Sequence, residues 1–157
     1  MSRIVCKFGG SSLADANQFR RVRAIVESDA RRSIVVPSAP GKRSSTDAKL
    51  TDLLYLCQHS ATLGSDFSGP FTQVRERFLE IERDLGLSGG MAAHLDALEV
   101  ALREGVTKDF VASRGEYLNG LLLLAYLGAE FVDPEHFIII QPNGSVDPQT
   151  YPLLGER

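Results

Sequence analysis

Ile4-Val5-Cys6 is a short apolar run that leads through Lys7-Phe8 into Gly9-Gly10. It predicts a buried strand followed by a loop over 9–12. Asp15 with Gln18 three positions on has the form of a capping box, and Phe19, Val22, Ile25 and Val26 continue at helical spacing, which predicts a helix over 16–28. Ser33-Ile34-Val35-Val36 is a second strand. Strand, helix and strand in this order predict a right-handed βαβ unit with parallel strands. A polar loop follows over 37–47. Leu50, Leu53, Leu54 and Cys57 mark the next helix, a break falls at 64–70, and Phe71, Val74, Phe78, Ile81 and Leu85 predict an amphipathic helix over 71–85. Gly86 suits its C-cap, and Gly89-Gly90 widens the turn. Leu95, Leu98, Val100 and Leu102 predict a shorter helix ended by Gly105. The stretch 107–127 is mostly helical and is closed by Gly128. Phe131-Val132 and 137–140 have the composition of short strands, and Asn143-Gly144 signals a turn. One more amphipathic helix starts at 151 and has about two turns before Arg157. A domain seldom stops on a half-made helix, so the 157 residues are expected to be part of a longer polypeptide. The pattern contains no repeat and no low-complexity linker.

Length and composition bound this picture without changing it. A chain of 157 residues buries roughly two-thirds of its unfolded surface, enough for one core. With 43% hydrophobic and 24% charged residues it is neither a disordered tail nor a disulfide miniprotein. The net charge of -3 and a pI near 5.6 give no basic surface for nucleic acid. Cys6 and Cys57 each sit in an apolar segment and are expected as free thiols. His59, His94 and His136 are scattered, with no metal-ligand spacing. No secretory signal opens the chain, and its longest apolar run, 121–127, has seven residues against the ~20 that span a bilayer. A soluble, cytoplasmic protein is expected.

Three segments can carry chemistry. In Lys7-Phe8-Gly9-Gly10-Ser11-Ser12, a lysine at a strand end precedes two glycines. Backbone N–H groups can approach phosphate oxygens closely there, and the ammonium neutralises them. A tight surface turn with a solvated lysine would look the same. Ala39-Pro40-Gly41-Lys42-Arg43-Ser44 is not a Walker P-loop, because the pattern's leading glycine is missing and Arg43 follows Lys42 where Ser or Thr is required. It is a polar loop at the carboxyl end of a strand, where ligands bind in open α/β sheets, with Ser38 at the strand end. The third segment is Ser113-Arg114-Gly115-Glu116, with Asn119 one turn on. Ser113, Glu116 and Asn119 share a helix face. Gly115 costs ~1 kcal/mol in a helix relative to Ala, which points to close approach by a ligand or a backbone. Glu116 can accept bonds from an ammonium group or pair with Arg114 on the surface.

Together and in order, these segments resemble the aspartate kinases. Val5-Cys6-Lys7-Phe8-Gly9-Gly10-Ser11-Ser12 is similar to that family's V-x-K-F-G-G-[ST]-S, and Ile34-Val35-Val36-Pro37-Ser38-Ala39 to its second strand. Lys49-Leu50-Thr51-Asp52-Leu53-Leu54 resembles the helix start that follows, and Ser113-Arg114-Gly115-Glu116 resembles S-x-G-E. The resemblance spans the whole chain. It implies an amino-acid kinase (carbamate kinase-like) fold, an αβα sandwich with a mainly parallel sheet, of which this chain is the amino-terminal half. The implied activity is ATP-dependent phosphorylation of L-aspartate to 4-phospho-L-aspartate, with Mg²⁺, opening lysine, threonine and methionine biosynthesis. By resemblance, Lys7 contacts the transferring phosphate, Gly9, Gly10 and Ser11 cradle it, and Ser38, Thr51 and Glu116 hold aspartate. A homo-oligomer is also implied for the full-length protein. Pro37 departs from the family's valine and removes an N–H beside Ser38. The family's second glycine-rich stretch, similar to G-R-G-G-S-D and carrying the catalytic aspartate and much of the ATP site, is not among these residues. The chain alone is therefore expected to be inactive. Another amino-acid kinase of the N-acetylglutamate type, or a non-catalytic binding or assembly module, are the alternative readings.

Overall fold

A computed structural model describes residues 2–155. Strands β1 (Val5–Phe8) and β2 (Ile34–Pro37) pair in parallel, with Val5 opposite Ile34 and Phe8 opposite Pro37. Helix α1 (Ala16–Glu27) makes the crossover between them, as strand-helix-strand order predicts. The alternation of a strand sorts the side chains. Cys6, Phe8 and Val35 pack toward the core, whereas Val5, Lys7, Ile34 and Val36 stand exposed. Asp15 caps α1 by accepting from the Gln18 N–H at 2.9 Å, an interaction that stabilises a helix by about 1 kcal/mol. Phe19 and Val22 on its inner face are fully buried. The stretch after β1 is more ordered than a plain loop. Gly10–Leu13 winds one turn of 3-10 helix, drawn in by the fully buried Leu13.

The helices that follow are α2 (Leu50–Thr62), α3 (Ser68–Asp84), α4 (Met91–Glu104) and α5 (Lys108–Leu127). Helix α2 packs on α3 and α5, α3 also packs on α4, and α5 lies against β2. Leu54, Cys57, Val74, Phe78, Leu95 and Leu122 meet in the resulting core. Each such side chain contributes roughly 1.5–3 kcal/mol by leaving water. Helix α3 begins three residues before its apolar stripe. Pro70 fits a first turn, where no N–H is required of it, and Asp66 accepts from the Ser68 N–H at 3.0 Å. Thr107 caps α5 through the Phe110 N–H at 3.1 Å, and Gly128 ends it with φ 64°, a left-handed turn that glycine adopts at least cost. Cys6 and Cys57 are free thiols, and burial pushes the Cys57 thiol up to about 11. No helix among the described residues is long and apolar enough to cross a membrane.

The expected strands at 131–132 and 137–140 do not form. Asp133 caps a short 3-10 turn, Pro134–His136, and beyond it Ile140 makes only an isolated antiparallel bridge to Val146 around Asn143-Gly144. An apolar run becomes a strand only with a partner for its N–H and C=O groups. Among the described residues that segment has no such ladder, and Ile138, Ile139 and Ile140 are exposed. The last predicted helix is present as α6 (Thr150–Gly155), whose buried Thr150 accepts from the Ile139 N–H at 3.0 Å. Its predicted end at Glu156 and Arg157 lies outside the described residues.

Gly41 in the loop between β2 and α2 is held from two sides. The Gly41 N–H donates to the Gly10 carbonyl at 2.8 Å. The two backbones are so close that a Cβ built on Gly41 would stand 2.5 Å from the Gly10 carbonyl carbon. On the other side lies Arg77 of α3, only 2% exposed. It donates to the Gly41 carbonyl at 3.2 Å, the Ala48 carbonyl at 3.1 Å and the Asp47 carboxylate at 2.6 Å. Burial acts to raise the Asp47 carboxyl, but bonds from Arg43 and the charges of Arg77 and Arg43 outweigh it and hold Asp47 below the usual range. Burial pulls Arg77 down, yet a guanidinium starts so far above neutrality that it stays charged.

Gly41→Ala is expected to cost about 1–3 kcal/mol, since the new methyl meets backbone that cannot swing aside. Urea melts measure this, and an unchanged midpoint would show that the loop is free to retreat. Acid acts through Asp47. Its folded pKa is depressed, so its contribution is complete above the unfolded value of about 3.9 and is lost as pH falls through the lower folded value. The gap in urea midpoint between the wild type and Asp47→Asn should therefore be widest near neutrality and close below about pH 4. A gap of constant size across that range contradicts the assignment.

Candidate functional site

The site forms where β1 and β2 end side by side. The Ser38 N–H donates to the Phe8 carbonyl at 2.9 Å, carrying the parallel ladder one step beyond the strands. That step brings the residues after both strands together, as the open carboxyl edge of a parallel sheet does. The Lys7 ammonium donates to the Ser38 hydroxyl at 3.2 Å. Helix α5 grips the same dipeptide from the other side. The Asn119 amide donates to the Ser38 carbonyl at 2.6 Å, and the Ala39 N–H donates to the Glu116 carboxylate at 3.2 Å. Ser38-Ala39 is thus held at four points, and three of them involve Lys7, Glu116 and Asn119.

The glycines divide their work. Gly10 is closed: a Cβ there would stand 2.9 Å from the Ala39 carbonyl oxygen. Gly9 is open, since a Cβ would meet nothing within 4 Å. Of the two, Gly9 faces free space beside Lys7, while Gly10 lets the Ala39–Gly41 backbone close in. Gly115 acts in the same way as Gly10. A Cβ there would meet the Ala39 methyl at 2.8 Å, so this glycine admits the loop against α5. Gly120, five residues further along α5, seats the Phe131 ring.

Of the residues expected in the site, Lys7, Ser38 and Glu116 are brought together through Ser38-Ala39, with Gly9 and the exposed Ser11 adjacent in the chain. Thr51 lies half-buried in the first turn of α2. That turn is set against α5 by Leu50 and Leu54 at Gly115, and Thr51 makes no hydrogen bond to the other three. Ser113 turns away: its hydroxyl donates to the Phe110 carbonyl and accepts from Arg114. Arg114 does not pair with Glu116. Its guanidinium lies over the rings of Phe110 at 4.3 Å and Tyr117 at 4.5 Å. Glu116 is exposed, and among the described residues neither it nor Lys7 enters an ion pair. The site therefore offers one uncommitted cation and one uncommitted anion. Glu116 also borders a groove of about 880 Å³ between β2, α5 and residues 129–140, walled by Val36, Pro37, Tyr117, Leu123 and Phe131 among others.

Two contributions are not legible in the local sequence. Asn119 shares the Glu116 face, but nothing around it announces that it is fully buried, with an amide oxygen that has no hydrogen-bond partner among the described residues. Arg77 gave one signal: it stands three residues after Val74 and four before Ile81, inside the apolar stripe of α3. A charge in that position is a charge that will be buried.

Comparison with known proteins identifies the fold. The model of the amino acid kinase family matches residues 2–153. Aspartokinase 3 of Bacillus subtilis (strain 168) is 35% identical over 165 aligned residues, covering 96% of this chain and 36% of its own length. The crystal structure of Clostridium acetobutylicum aspartate kinase superposes on the whole chain with a TM-score of 0.97 and 42% identity, over 36% of its own chain. Escherichia coli aspartokinase III in complex with aspartate and ADP superposes on 99% of the chain and 37% of its own, with a TM-score of 0.78 at 23% identity, a likeness of fold. The chain spans a little over a third of the length of these relatives. On the family match over nearly its full length, together with the parallel β1–β2 unit and the lysine-glycine loop at its open edge, this chain belongs to the amino acid kinase family.

Proposed function

We propose that this chain supplies the phosphate loop and the aspartate-binding side of an aspartate kinase, which transfers the γ-phosphoryl group of ATP to the side-chain carboxylate of L-aspartate. The product would be 4-phospho-L-aspartate, the first intermediate toward lysine, threonine and methionine, made in the cytoplasm by a homo-oligomer. One observation carries the reading. Lys7 of the glycine motif and Ser38 of the second-strand motif are in direct contact at 3.2 Å, so the phosphate side and the substrate side share one strand edge.

The chemistry asks for two charges in fixed places. A carboxylate oxygen of aspartate attacks the γ-phosphorus, a new P–O bond forms, and the bond to the β–γ bridging oxygen breaks with release of ADP. Both reactants are anionic, so a cation beside the moving group lowers the barrier. Lys7 is the exposed ammonium at that edge, and the open face of Gly9 gives phosphate oxygens room to reach it. Glu116 is the exposed carboxylate that can take the substrate's ammonium. Its bond from the Ala39 N–H fixes one oxygen and leaves the rest of the carboxylate available. Ser38 offers its hydroxyl beside Lys7, and Thr51 a second hydroxyl on α2. Mg²⁺ would accompany the nucleotide phosphates. No group of three His, Cys, Asp or Glu side chains among the described residues is placed to hold it.

In the protein as its gene encodes it, Lys7→Ala should lower kcat by about 100-fold or more while aspartate affinity changes little, because the charge acts as the phosphoryl group moves. A coupled ADP-release assay beside aspartate calorimetry measures both; lost affinity with intact turnover would reassign Lys7 to substrate binding. Glu116→Gln keeps an acceptor for the Ala39 N–H and removes the charge. It should raise the aspartate dissociation constant about 10-fold, the loss of one charge-assisted bond, and leave binding of a non-hydrolysable ATP analogue unchanged. Equal aspartate affinity in a folded variant removes Glu116 from the substrate site.

A further inference from the structure

Arg77 belongs to none of the motifs above, and α3, which carries it, otherwise reaches the same loop at its exposed side, where Glu80 accepts from Arg43. The burial of Arg77 is costly for a cation, and its Nε finds no hydrogen-bond partner. A leucine or methionine at this point of the apolar stripe would meet the demands of packing. The guanidinium is instead turned so that every acceptor it uses lies in one loop: the carbonyls of Gly41 and Ala48 and the carboxylate of Asp47. One terminal nitrogen holds the start of that loop and the other holds its end. The peptides of Gly41 then pass the constraint on. The residue's carbonyl is taken by Arg77, and its N–H is given to the Gly10 carbonyl at 2.8 Å. Gly10 in turn abuts the Ala39 carbonyl, next to the Ser38-Ala39 dipeptide on which Lys7, Asn119 and Glu116 converge.

We propose that Arg77 is a positioning residue for phosphoryl transfer: through Gly41 it sets the distance between the glycine loop after β1 and the Ser38-Ala39 strand end, and thereby between phosphate and acceptor. The role in catalysis rests on the aspartate kinase reading, whereas the mechanical link does not. A lysine cannot replace it, because a single ammonium cannot hold both ends of the loop in the fixed fork of a guanidinium. In-line transfer is sensitive to such distances, since a misplacement of about 1 Å can cost on the order of 100-fold in rate.

The experiment uses the protein as its gene encodes it, with Arg77→Met, Arg77→Lys and, as a control, Leu98→Ala, a buried change on α4 that is remote from the loop. Two quantities are read: amide hydrogen exchange at Gly41, and kcat with aspartate and ATP. Arg77→Met should raise Gly41 exchange about 10-fold or more and lower kcat about 10–100-fold, while amides in α5 stay as protected as in the control. Arg77→Lys should preserve the fold and still show faster Gly41 exchange and reduced kcat, and it decides the question if the methionine variant does not fold. Variants whose Gly41 exchange and kcat match Leu98→Ala would overturn the proposal, because Arg77 would then be stabilising the core and nothing more. If the wild type transfers no phosphate to aspartate, it is the functional reading that falls, and the exchange measurement still decides whether Arg77 holds the two loops together.

Discussion

Everything at the open edge of the sheet depends on how closely two stretches of backbone approach at Gly10 and Gly41. Their hydrogen bond is ordinary in length, but the space around it is not, since neither residue could carry a methyl group without displacing main chain. With that contact made, the loop after β2 must pass beside the loop after β1. Ser38 then falls under Lys7, and Ala39 falls against α5, where Gly115 leaves room for it. Three glycines on three different elements serve one geometric purpose. Losing a side chain at each is a real cost in conformational freedom, offset by the contacts that the approach allows.

The polar groups around this contact are sorted by burial. Arg77 and Asn119 are inside, and they bond mainly to backbone carbonyls, which fixes where the chain runs. Lys7 and Glu116 are outside, each with a hydrogen bond to the Ser38-Ala39 dipeptide and, among the described residues, no ion pair. Buried groups that orient the chain and exposed charges that remain available are what a site for a small zwitterion and a polyanion requires. The same division explains why Arg114 leaves Glu116 alone. Stacked between two aromatic rings, its guanidinium is held away from a carboxylate just two residues along the helix.

Much of this was legible in the order of residues. Helices α1, α2, α3, α4 and α5 follow their apolar spacing because each has one face against a common core, and β1 and β2 follow from short apolar runs with a helix between them. That Lys7, Ser38 and Glu116 meet at one place was legible because strand ends and an in-helix glycine mark where loops converge. What could not be read depends on partners distant in sequence. Nothing local distinguishes Gly9, which is open, from Gly10, which is closed; the difference is Gly41, some thirty residues away. The 137–140 run has the composition of a strand and, among the described residues, joins no ladder beyond the single bridge at Ile140. The burial of Arg77 depends on Asp47 and two carbonyls that α3 itself does not contain.

The row of exposed side chains on β1 and β2 has a practical side. Among the described residues, Val5, Ile34 and Val36 present an apolar strip on a two-stranded parallel sheet, and Ile138, Ile139 and Ile140 are exposed as well. Isolated parallel strands are weak, and unpaired edges that are also greasy invite other chains to add to them. Solubility and colloidal behaviour of these residues on their own will therefore be governed by that strip more than by the well-packed helices. Charged substitutions at Val5 or Ile139 are the natural means of keeping such a sheet apart from its neighbours, whereas Val36 stands opposite Lys7 and lines the groove that Glu116 borders.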